Sequence, residues 1–552
     1  MPETSGYPAL ANLLNPCGSK LKPKVNVLLQ LANSGAGIPD GGFFTPDQLK
    51  GTREDAPLRG LKPSRGAIEV KPLNADLVAI AATKQVRDYL NHYGQVLLTN
   101  YRAFQLLWRD PAGNLHEGER FVLAGSESDF WQLAAHPRKA AEQYGERLAD
   151  YLQRIMLHAA PLDNPRDLAF FLASYAREAR YRVEHAPLDA LESLRTSLET
   201  ALGLKVETER GLHFFRSTLV QTLFYGVFSA WVLWHRERPG RTDVFNWKTA
   251  AFNLRLPVLR KLFHELTDPA HVHVLDVSEP LDWASAVLDR VQRPAFFRQF
   301  AEEHAVQYFY EPFLEAFDPQ LREDFGVWYT PEEIVRYMVA RVDRTLREQF
   351  GRSAGLADPD VVVLDPCCGT GAYLVETLHT IHRCHAEEQG LGDLAAFEAK
   401  KAARERLFGF ELLPAPYVVA HLQLGLLLQK LGAPLDEKIG ERAAVYLTNA
   451  LTGWSPTRDP KQLVLQELQA EREAANKVKQ EQRILVILGN PPYDGFAGLA
   501  MAEEHDLGDA YREVHTPGCP APQGQGLNDL YVRFYRMAER QIVEKTGEGI
   551  VC

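Results

Sequence analysis

Apolar positions along the chain follow three rhythms, and each predicts a different kind of structure. Up to about residue 125, short apolar runs alternate with loops rich in glycine and proline, as in Gly35 to Phe44, GAGIPDGGFF. Apolar runs bounded by turn residues predict strands. Gly66 to Pro72 reads as one short strand and Gln95 to Tyr101, QVLLTNY, as a buried one, with a helical pattern from Thr83 to Asn91 between them. From about Ser126 to Phe317 the strand character is lost. Arg138 to His158, Asp189 to Leu202 and Phe214 to His235 carry apolar residues at three- and four-residue spacings, as amphipathic or buried helices do.

Beyond that point short continuous apolar runs return, now separated by helical stretches. Val361 to Leu364, Leu407 to Glu411, Ala443 to Leu447 and Ile484 to Leu488 read as buried strands, and Tyr417 to Leu431 reads as a long apolar helix. Strands buried on both faces and alternating with helices predict an α/β fold with a parallel sheet. Three segments are expected on this pattern, residues 1–125, 126–318 and 319–552, the middle one a helical connector.

Composition narrows the setting. Apolar residues make up 45% and charged residues 24% of the 552, the profile of a soluble globular chain. A net charge of -11 excludes a global electrostatic pull on nucleic acid, so any DNA binding must come from a local basic channel. The six cysteines (Cys17, Cys367, Cys368, Cys384, Cys519, Cys552) form no CxxC pair and no zinc spacing, a usage expected of reduced thiols in a cytoplasm. Phe214 to Trp234 is interrupted by Arg216 and Gln221 and followed by Arg236, Glu237 and Arg238, which predicts a buried helix rather than a membrane span.

Candidate chemistry concentrates in Val361 to Glu376, VVVLDPCCGTGAYLVE. Asp365 falls where a buried strand ends, and Gly369, Thr370 and Gly371 let the backbone approach a ligand. Ala372 opens a helix whose N-terminal amides favour an anionic group. Together these make a nucleotide-binding corner at the carboxyl edge of an open sheet. Glu411 ends the next strand, where an acid accepts hydrogen bonds from ribose hydroxyls, and Asn449 follows the third, near the place of an adenine ring. The fourth strand delivers Gly489-Asn490-Pro491-Pro492-Tyr493. Upstream, Tyr329-Thr330-Pro331 precedes a helical pattern, with Thr330 fitting its N-cap and Pro331 its first turn. Leu463 to Gln482, rich in Glu, Lys, Gln and Ala, reads as a solvated helix.

Tyr329-Thr330-Pro331, Asp365-Pro366-Cys367-Cys368-Gly369-Thr370-Gly371, Glu411 and Asn490-Pro491-Pro492-Tyr493, in that order, resemble the amino-group methyltransferases that use S-adenosylmethionine, specifically the N6-adenine DNA class. The resemblance covers about residues 319–552 and implies a Rossmann-like class I methyltransferase domain. It implies that Tyr329, Thr330, Pro331, Asp365, Pro366, Cys368, Gly369, Thr370 and Gly371 hold S-adenosyl-L-methionine, with Glu411 on its ribose and Asn449 near its adenine. Double-stranded DNA is then the substrate, with an adenine rotated out of the duplex onto Tyr493. The Asn490 side-chain oxygen and the Pro491 carbonyl would accept the two N–H bonds of the exocyclic amine, directing its lone pair at the sulfonium methyl. The Pro491-Pro492 step fixes those acceptors. Enzymes that methylate glutamine side chains in proteins share Asn-Pro-Pro-Tyr, so that reading stays open on the motif. A catalytically silent scaffold that only binds the cofactor also stays open.

In the first segment, Asp40 follows a glycine-rich loop, and Glu69 and Lys71 share one face of a strand because strand side chains repeat every two residues. Two carboxylates can hold Mg²⁺, which activates water and stabilises charge on a phosphate, and a lysine can polarise that water. Asp47 offers a competing acid. Gln85 and Tyr89 lie on one helix face at i, i+4. This order resembles the PD-(D/E)xK nucleases, in the branch with a Gln-xxx-Tyr helix, over roughly residues 25–110. The resemblance implies Asp40, Glu69 and Lys71 as the catalytic set, Asp40 and Glu69 as the metal ligands, and Gln85 and Tyr89 as support for the site or the DNA.

Nuclease, helical spacer and methyltransferase in this order are similar to type IIG and type ISP restriction-modification enzymes, a resemblance that implies a role in restriction-modification or phage defence. A Gly-x-x-x-x-Gly-Lys-Ser/Thr loop is missing from the sequence, so no ATP-driven motor is expected in this chain. Gly549 to Cys552 enters another strand, which predicts a longer enzyme or a separate partner chain that supplies specificity. Phe496 to Gln525, rich in Gly, Pro and Ala, is expected to be a mobile loop able to close over a flipped base.

Overall fold

The computed structural model describes residues 3–31, 37–50, 61–110, 112–202, 206, 208–237, 240, 243–299, 309–319, 330–436, 439–455, 465–493, 506–514, 518–520, 522, 527 and 529–552. The chain forms two compact units, Met1–Leu162 and Asp163–Cys552. The fold is mixed α/β in both.

The first unit is built on a six-stranded sheet in the order β1-β2-β3-β4-β5-β6. Its strands are β1 (Asn26–Leu29), β2 (Gly41–Phe44), β3 (Ala67–Val70), β4 (Gln95–Thr99), β5 (Ala103–Arg109) and β6 (Leu115–Val122). Only β3 and β4 run parallel; the other neighbours are antiparallel. A parallel pair needs a crossover, and the helix Lys84–Tyr93 supplies it. Thr83 caps that helix by accepting from Val86 N–H, and Val86, Tyr89, Leu90 and Tyr93 face the sheet against Val96, Leu98 and Leu107. Each fully buried aliphatic side chain in such a layer contributes roughly 1.5–3 kcal/mol.

Two helices of this unit depart from the sequence reading. Tyr7–Ser19 is a helix that Pro8 and Pro16 obscure in the sequence. Pro137–His158, assigned by its periodicity to a connector beginning at residue 126, belongs to the first unit. Its Tyr151 hydroxyl donates to Glu119 O at 3.1 Å, and its Arg154 guanidinium holds the Glu119 carboxylate at 2.6 and 2.9 Å. Helical spacing reports which face is apolar, not which sheet that face covers.

The second unit contains an all-parallel sheet in the order β11-β10-β7-β8-β9. Its strands are β7 (Val363–Asp365), β8 (Leu407–Glu411), β9 (Val445–Leu447), β10 (Val486–Ile487) and β11 (Ile550–Val551). Three of them, β7, β9 and β10, start later than the apolar runs that predict them. Val361 N–H, for instance, bonds Asp358 O in a turn rather than joining the ladder. The chain proceeds from β7 through β8 to β9 and then returns to place β10 on the other side of β7. Order therefore reverses between β7 and β10, where crevices outside the carboxyl ends of open sheets receive ligands.

The helix Gln466–Glu481, expected to be solvated, instead buries Leu468, Glu471, Ala475, Val478 and Lys479 along one face. Glu471 accepts from Tyr417, Arg442 and Leu447 N–H, so its charge is paired inside. In the helical part, Glu209–Glu237 packs against Pro165–His185, Pro257–Leu266 and Pro414–Leu431. Among the described residues no helix is long and apolar enough to cross a membrane.

Candidate functional site

The crevice at the order reversal starts from Asp365, at the carboxyl end of β7. Its side chain is 1% exposed, its Oδ1 accepts from Cys367 N–H at 3.1 Å, and its Oδ2 is buried without a hydrogen-bond partner. Burial, reinforced by the nearby Glu411 charge, pushes its pKa up to about 8. A buried carboxyl oxygen without a donor is costly, and a ligand that brings a donor or a positive charge relieves that cost.

The turn that follows is fixed by backbone bonds. Cys368 N–H reaches Phe410 O at 3.0 Å, Gly371 N–H reaches Cys368 O at 2.7 Å, and the Gln423 amide donates to Thr370 O at 2.6 Å. Gly371 sits at φ 90°, and a Cβ there would lie 3.2 Å from the Ala420 Cβ, so both backbone and space select glycine. The helix Ala372–Arg383 begins immediately after it. Pro366 is buried, and burial pushes the Cys367 and Cys368 thiols up, which disfavours the thiolate form that a nucleophile needs.

Glu411, at the end of β8, accepts from Gly369 N–H at 2.9 Å and from Leu413 N–H at 2.8 Å. Burial pushes its pKa up to about 7. A carboxylate offers about four acceptor positions, so these bonds leave capacity for hydroxyl donors. After β9, the Asn449 side-chain oxygen accepts from Leu451 N–H at 2.9 Å, and Lys479 donates at 2.8 Å to both Thr448 Oγ1 and Asn449 O. Sequence reasoning missed Lys479. The spacing of Leu468, Glu471, Ala475 and Lys479 marks an inward face that the surrounding charge concealed.

On the other side of β7, β10 leads to Gly489 and Asn490. A Cβ on Gly489 would stand 2.7 Å from Asp365 Oδ1, so glycine lets the two strand ends meet. The Asn490 amide donates to Thr330 Oγ1 at 3.2 Å, and its side-chain oxygen accepts from the Tyr493 hydroxyl at 2.7 Å. Tyr493 is 60% exposed, with Tyr531 of the helix Leu530–Glu539 6.3 Å away, ring to ring. Pro491 and Pro492 are half-buried between them in sequence. Thr330 is not the N-cap: the N-cap of the helix Glu332–Gln349 falls one residue later, on Pro331, and the Thr330 hydroxyl accepts from Asn490 instead. Tyr329 and most of the expected loop from Phe496 to Gln525 lie outside the described residues.

In the first unit, β3 presents Glu69, 2% exposed, beside Lys71, whose Nζ donates to Glu69 Oε1 at 2.5 Å. The Gln85 amide donates to the same oxygen at 3.0 Å and to the Tyr89 hydroxyl at 3.1 Å, and Tyr89 in turn donates to Ile38 O at 3.0 Å. Ile38 lies two residues before Asp40, whose Oδ2 accepts from Val70 N–H at 2.7 Å. Tyr7, which sequence reasoning missed, donates from its hydroxyl to Asp40 Oδ1. Asp40, Glu69, Lys71, Gln85 and Tyr89 thus form one connected cluster, whereas Asp47 is exposed on the short helix Pro46–Leu49.

No group of three or more His, Cys, Asp or Glu side chains with metal-holding geometry occurs among the described residues. Two carboxylates nevertheless suit Mg²⁺, which usually takes one or two of them and completes its shell with water and phosphate oxygens.

Residues 301–441 match the family model of the N-6 DNA methylases. No curated protein matches the chain. Among solved structures, a DrdV–DNA complex is similar at 18% identity and a TM-score of 0.48, over 99% of this chain and 47% of that one. A nuclease-deletion mutant of the type ISP restriction-modification enzyme LlaGI with a DNA substrate mimic is similar at 17% identity and a TM-score of 0.49, over 74% of this chain and 31% of that one. The type IIG restriction endonuclease BpuSI is similar at 13% identity and a TM-score of 0.29, over 97% and 49%. The chain spans less than half the length of each of these structures.

Proposed function

We propose that the second unit is an S-adenosylmethionine-dependent N6-adenine DNA methyltransferase of a restriction-modification or phage-defence system. The observation that carries this reading is the Asn490 carboxamide held at the carboxyl end of β10 against Thr330, one residue after Gly489, whose backbone closely approaches Asp365 Oδ1. The match of residues 301–441 to N-6 DNA methylases supports it. When bound, S-adenosylmethionine supplies an electrophilic methyl group. Asp365 and the turn from Cys368 to Gly371 would hold it, with Asp365 able to receive an ammonium donor and Glu411 to accept from ribose hydroxyls.

Asn490 and the Pro491 carbonyl accept the N–H bonds of an adenine amine. Thr330 keeps the Asn490 carboxamide oriented by accepting from its NH₂ end, which leaves the oxygen for the substrate. Tyr493 now occupies that oxygen with its own hydroxyl, so an incoming base exchanges one donor for another as the ring moves to stack on it.

The test is transfer of labelled methyl from S-adenosylmethionine to duplex DNA without divalent metal, comparing the wild type with Asn490→Ala. N6-methyladenine formed by the wild type and lost in the variant is expected. Cofactor binding without transfer would favour the silent scaffold, and label on protein glutamine would favour the glutamine methyltransferases.

A second activity is favoured by the cluster in the first unit. Asp40 and Glu69 would hold Mg²⁺, Lys71 would polarise the attacking water, and Gln85 would orient Glu69, giving metal-dependent cleavage of DNA. Bound Mg²⁺ would activate water and offset charge on the scissile phosphate. Cleavage of duplex DNA that needs Mg²⁺ and disappears in Glu69→Gln is expected; equal cleavage by that variant would dismiss the assignment.

A further inference from the structure

We infer that Tyr7 is a positioning residue for the metal site of the first unit, holding Asp40 in the orientation that a divalent cation requires. This rests on the nuclease reading and extends it to a residue in no sequence motif.

Asp40 does not lie within a strand. It occupies the residue before β2, at the end of a glycine-rich loop, where a carboxylate swings freely unless something holds it. Its backbone is fixed by Gln30 N–H, which donates to Asp40 O at 2.6 Å, and by the Tyr89 hydroxyl on Ile38 O. Its carboxylate is fixed separately, with Val70 N–H on Oδ2 and the Tyr7 hydroxyl on Oδ1. Without the second donor the carboxylate would hinge about a single hydrogen bond.

Tyr7 is itself immobilised. It is 7% exposed and begins the helix Tyr7–Ser19. The preceding Gly6 lies so close under the Tyr101 ring that a Cβ there would stand 2.4 Å from Tyr101 Cζ. The partner acid is held in the same manner, by Lys71 and Gln85 on Glu69 Oε1. Each carboxylate thus has at least two protein donors, and the phenol plays for Asp40 the part that Gln85 plays for Glu69. A neutral donor on a ligating carboxylate leaves the remaining lone pairs for the ion. Loss of such outer partners typically weakens metal binding about 10–100-fold.

The experiment measures Mn²⁺ binding to the full chain by paramagnetic resonance, for the wild type, Tyr7→Phe and Asp40→Asn, with thermal unfolding recorded for each. Tyr7→Phe keeps the buried ring and removes only the donor. Expected are Mn²⁺ binding about 10–100-fold weaker than wild type at an unchanged unfolding midpoint, and cleavage restored by raising the metal concentration. Wild-type affinity in Tyr7→Phe would overturn the positioning role and leave the nuclease reading standing. Absence of Mn²⁺ binding by the wild type, or equal binding by Asp40→Asn, would overturn both. A lowered midpoint with no metal rescue would make Tyr7 a packing residue only and also overturn the inference.

Discussion

The two candidate sites differ in how completely the protein satisfies their acids: Glu411 accepts from Gly369 and Leu413 N–H, but the Asp365 beside it keeps a buried oxygen without a partner. In the first unit Asp40 and Glu69 are enclosed by donors from Tyr7, Val70, Lys71 and Gln85, and the cluster is a hydrogen-bonded network before any ion arrives. In the second unit Asp365 Oδ2 has no partner at all, and burial keeps Asp365 and Glu411 raised to about 8 and 7. A small ion that keeps most of its water needs only two oriented oxygens. A large cationic cofactor brings its own donors, so its socket can be left open. Enclosure fits an ion and openness fits an organic ligand.

The sharpest way to break that comparison is a crossover of variants. Removing a dipole that acts in the transition state costs on the order of 10²–10³-fold in rate, and removing a proton-handling or polarising group about 10²–10⁴-fold. Asn490→Ala is expected to lose methyl transfer by that order while Mg²⁺-dependent cleavage persists, and Lys71→Ala to show the reverse. Both rates are measured on one duplex. If either variant abolished both activities, the two sites would not act independently.

A smaller effect sharpens the electrostatic half of the contrast. Asp365 and Glu411 both have folded-state pKa values above their ordinary ones, so ionising them costs more in the folded protein than in the unfolded chain. Their neutral forms favour folding. The cofactor-free protein should therefore lose stability as pH rises from the ordinary carboxylate range toward about 8. A cofactor that donates to the carboxylates lowers both pKa values and expels protons on binding. Affinity should rise from pH 6 to pH 8, by up to about tenfold per unit for each proton released. Calorimetry in buffers of different ionisation heat measures that release, and Asp365→Asn should reduce it. A flat affinity with no proton release would mean that the orphaned oxygen does not meet the ligand.

The contrast also explains what the sequence disclosed. The glycine turn, Glu411 and Asn490 are legible because each sits at the end of an apolar run, where strand and turn chemistry are local. Asp40, Glu69 and Lys71 are legible because strand period and a short loop place them on one face. Tyr7 is not, since 33 residues separate it from Asp40 and its helix carries proline at both ends. Lys479 and Glu471 are hidden because a charged helix ordinarily faces water, and only tertiary contacts with Thr448 and Arg442 bring them inside. Thr330 misled for a related reason: a threonine before a proline fits a helix cap by local rules, and a partner 160 residues away takes its hydroxyl. Assignment of the helix Pro137–His158 to the first sheet likewise depends on the Arg154–Glu119 pair, which periodicity does not reveal.

The smallest expected effect tests whether the end of β9 reads the cofactor with a side chain or with its backbone. Asn449 spends its side-chain oxygen on Leu451 N–H, and its carbonyl is held by Lys479, so the residue is fixed as a turn. Aspartate has the same shape and keeps that acceptor. Asn449→Asp should therefore change S-adenosylmethionine affinity by less than about fivefold, under about 1 kcal/mol. Asn449→Leu removes the bond to Leu451 N–H, and the turn should loosen by about 1 kcal/mol, visible as faster amide exchange at Leu451. A large loss of affinity in Asn449→Asp alone, with exchange at Leu451 unchanged, would show that the carboxamide NH₂ contacts the adenine directly. The open socket would then include a side-chain donor at its far end, and its selectivity for adenine would come from that group rather than from backbone held in place by Lys479.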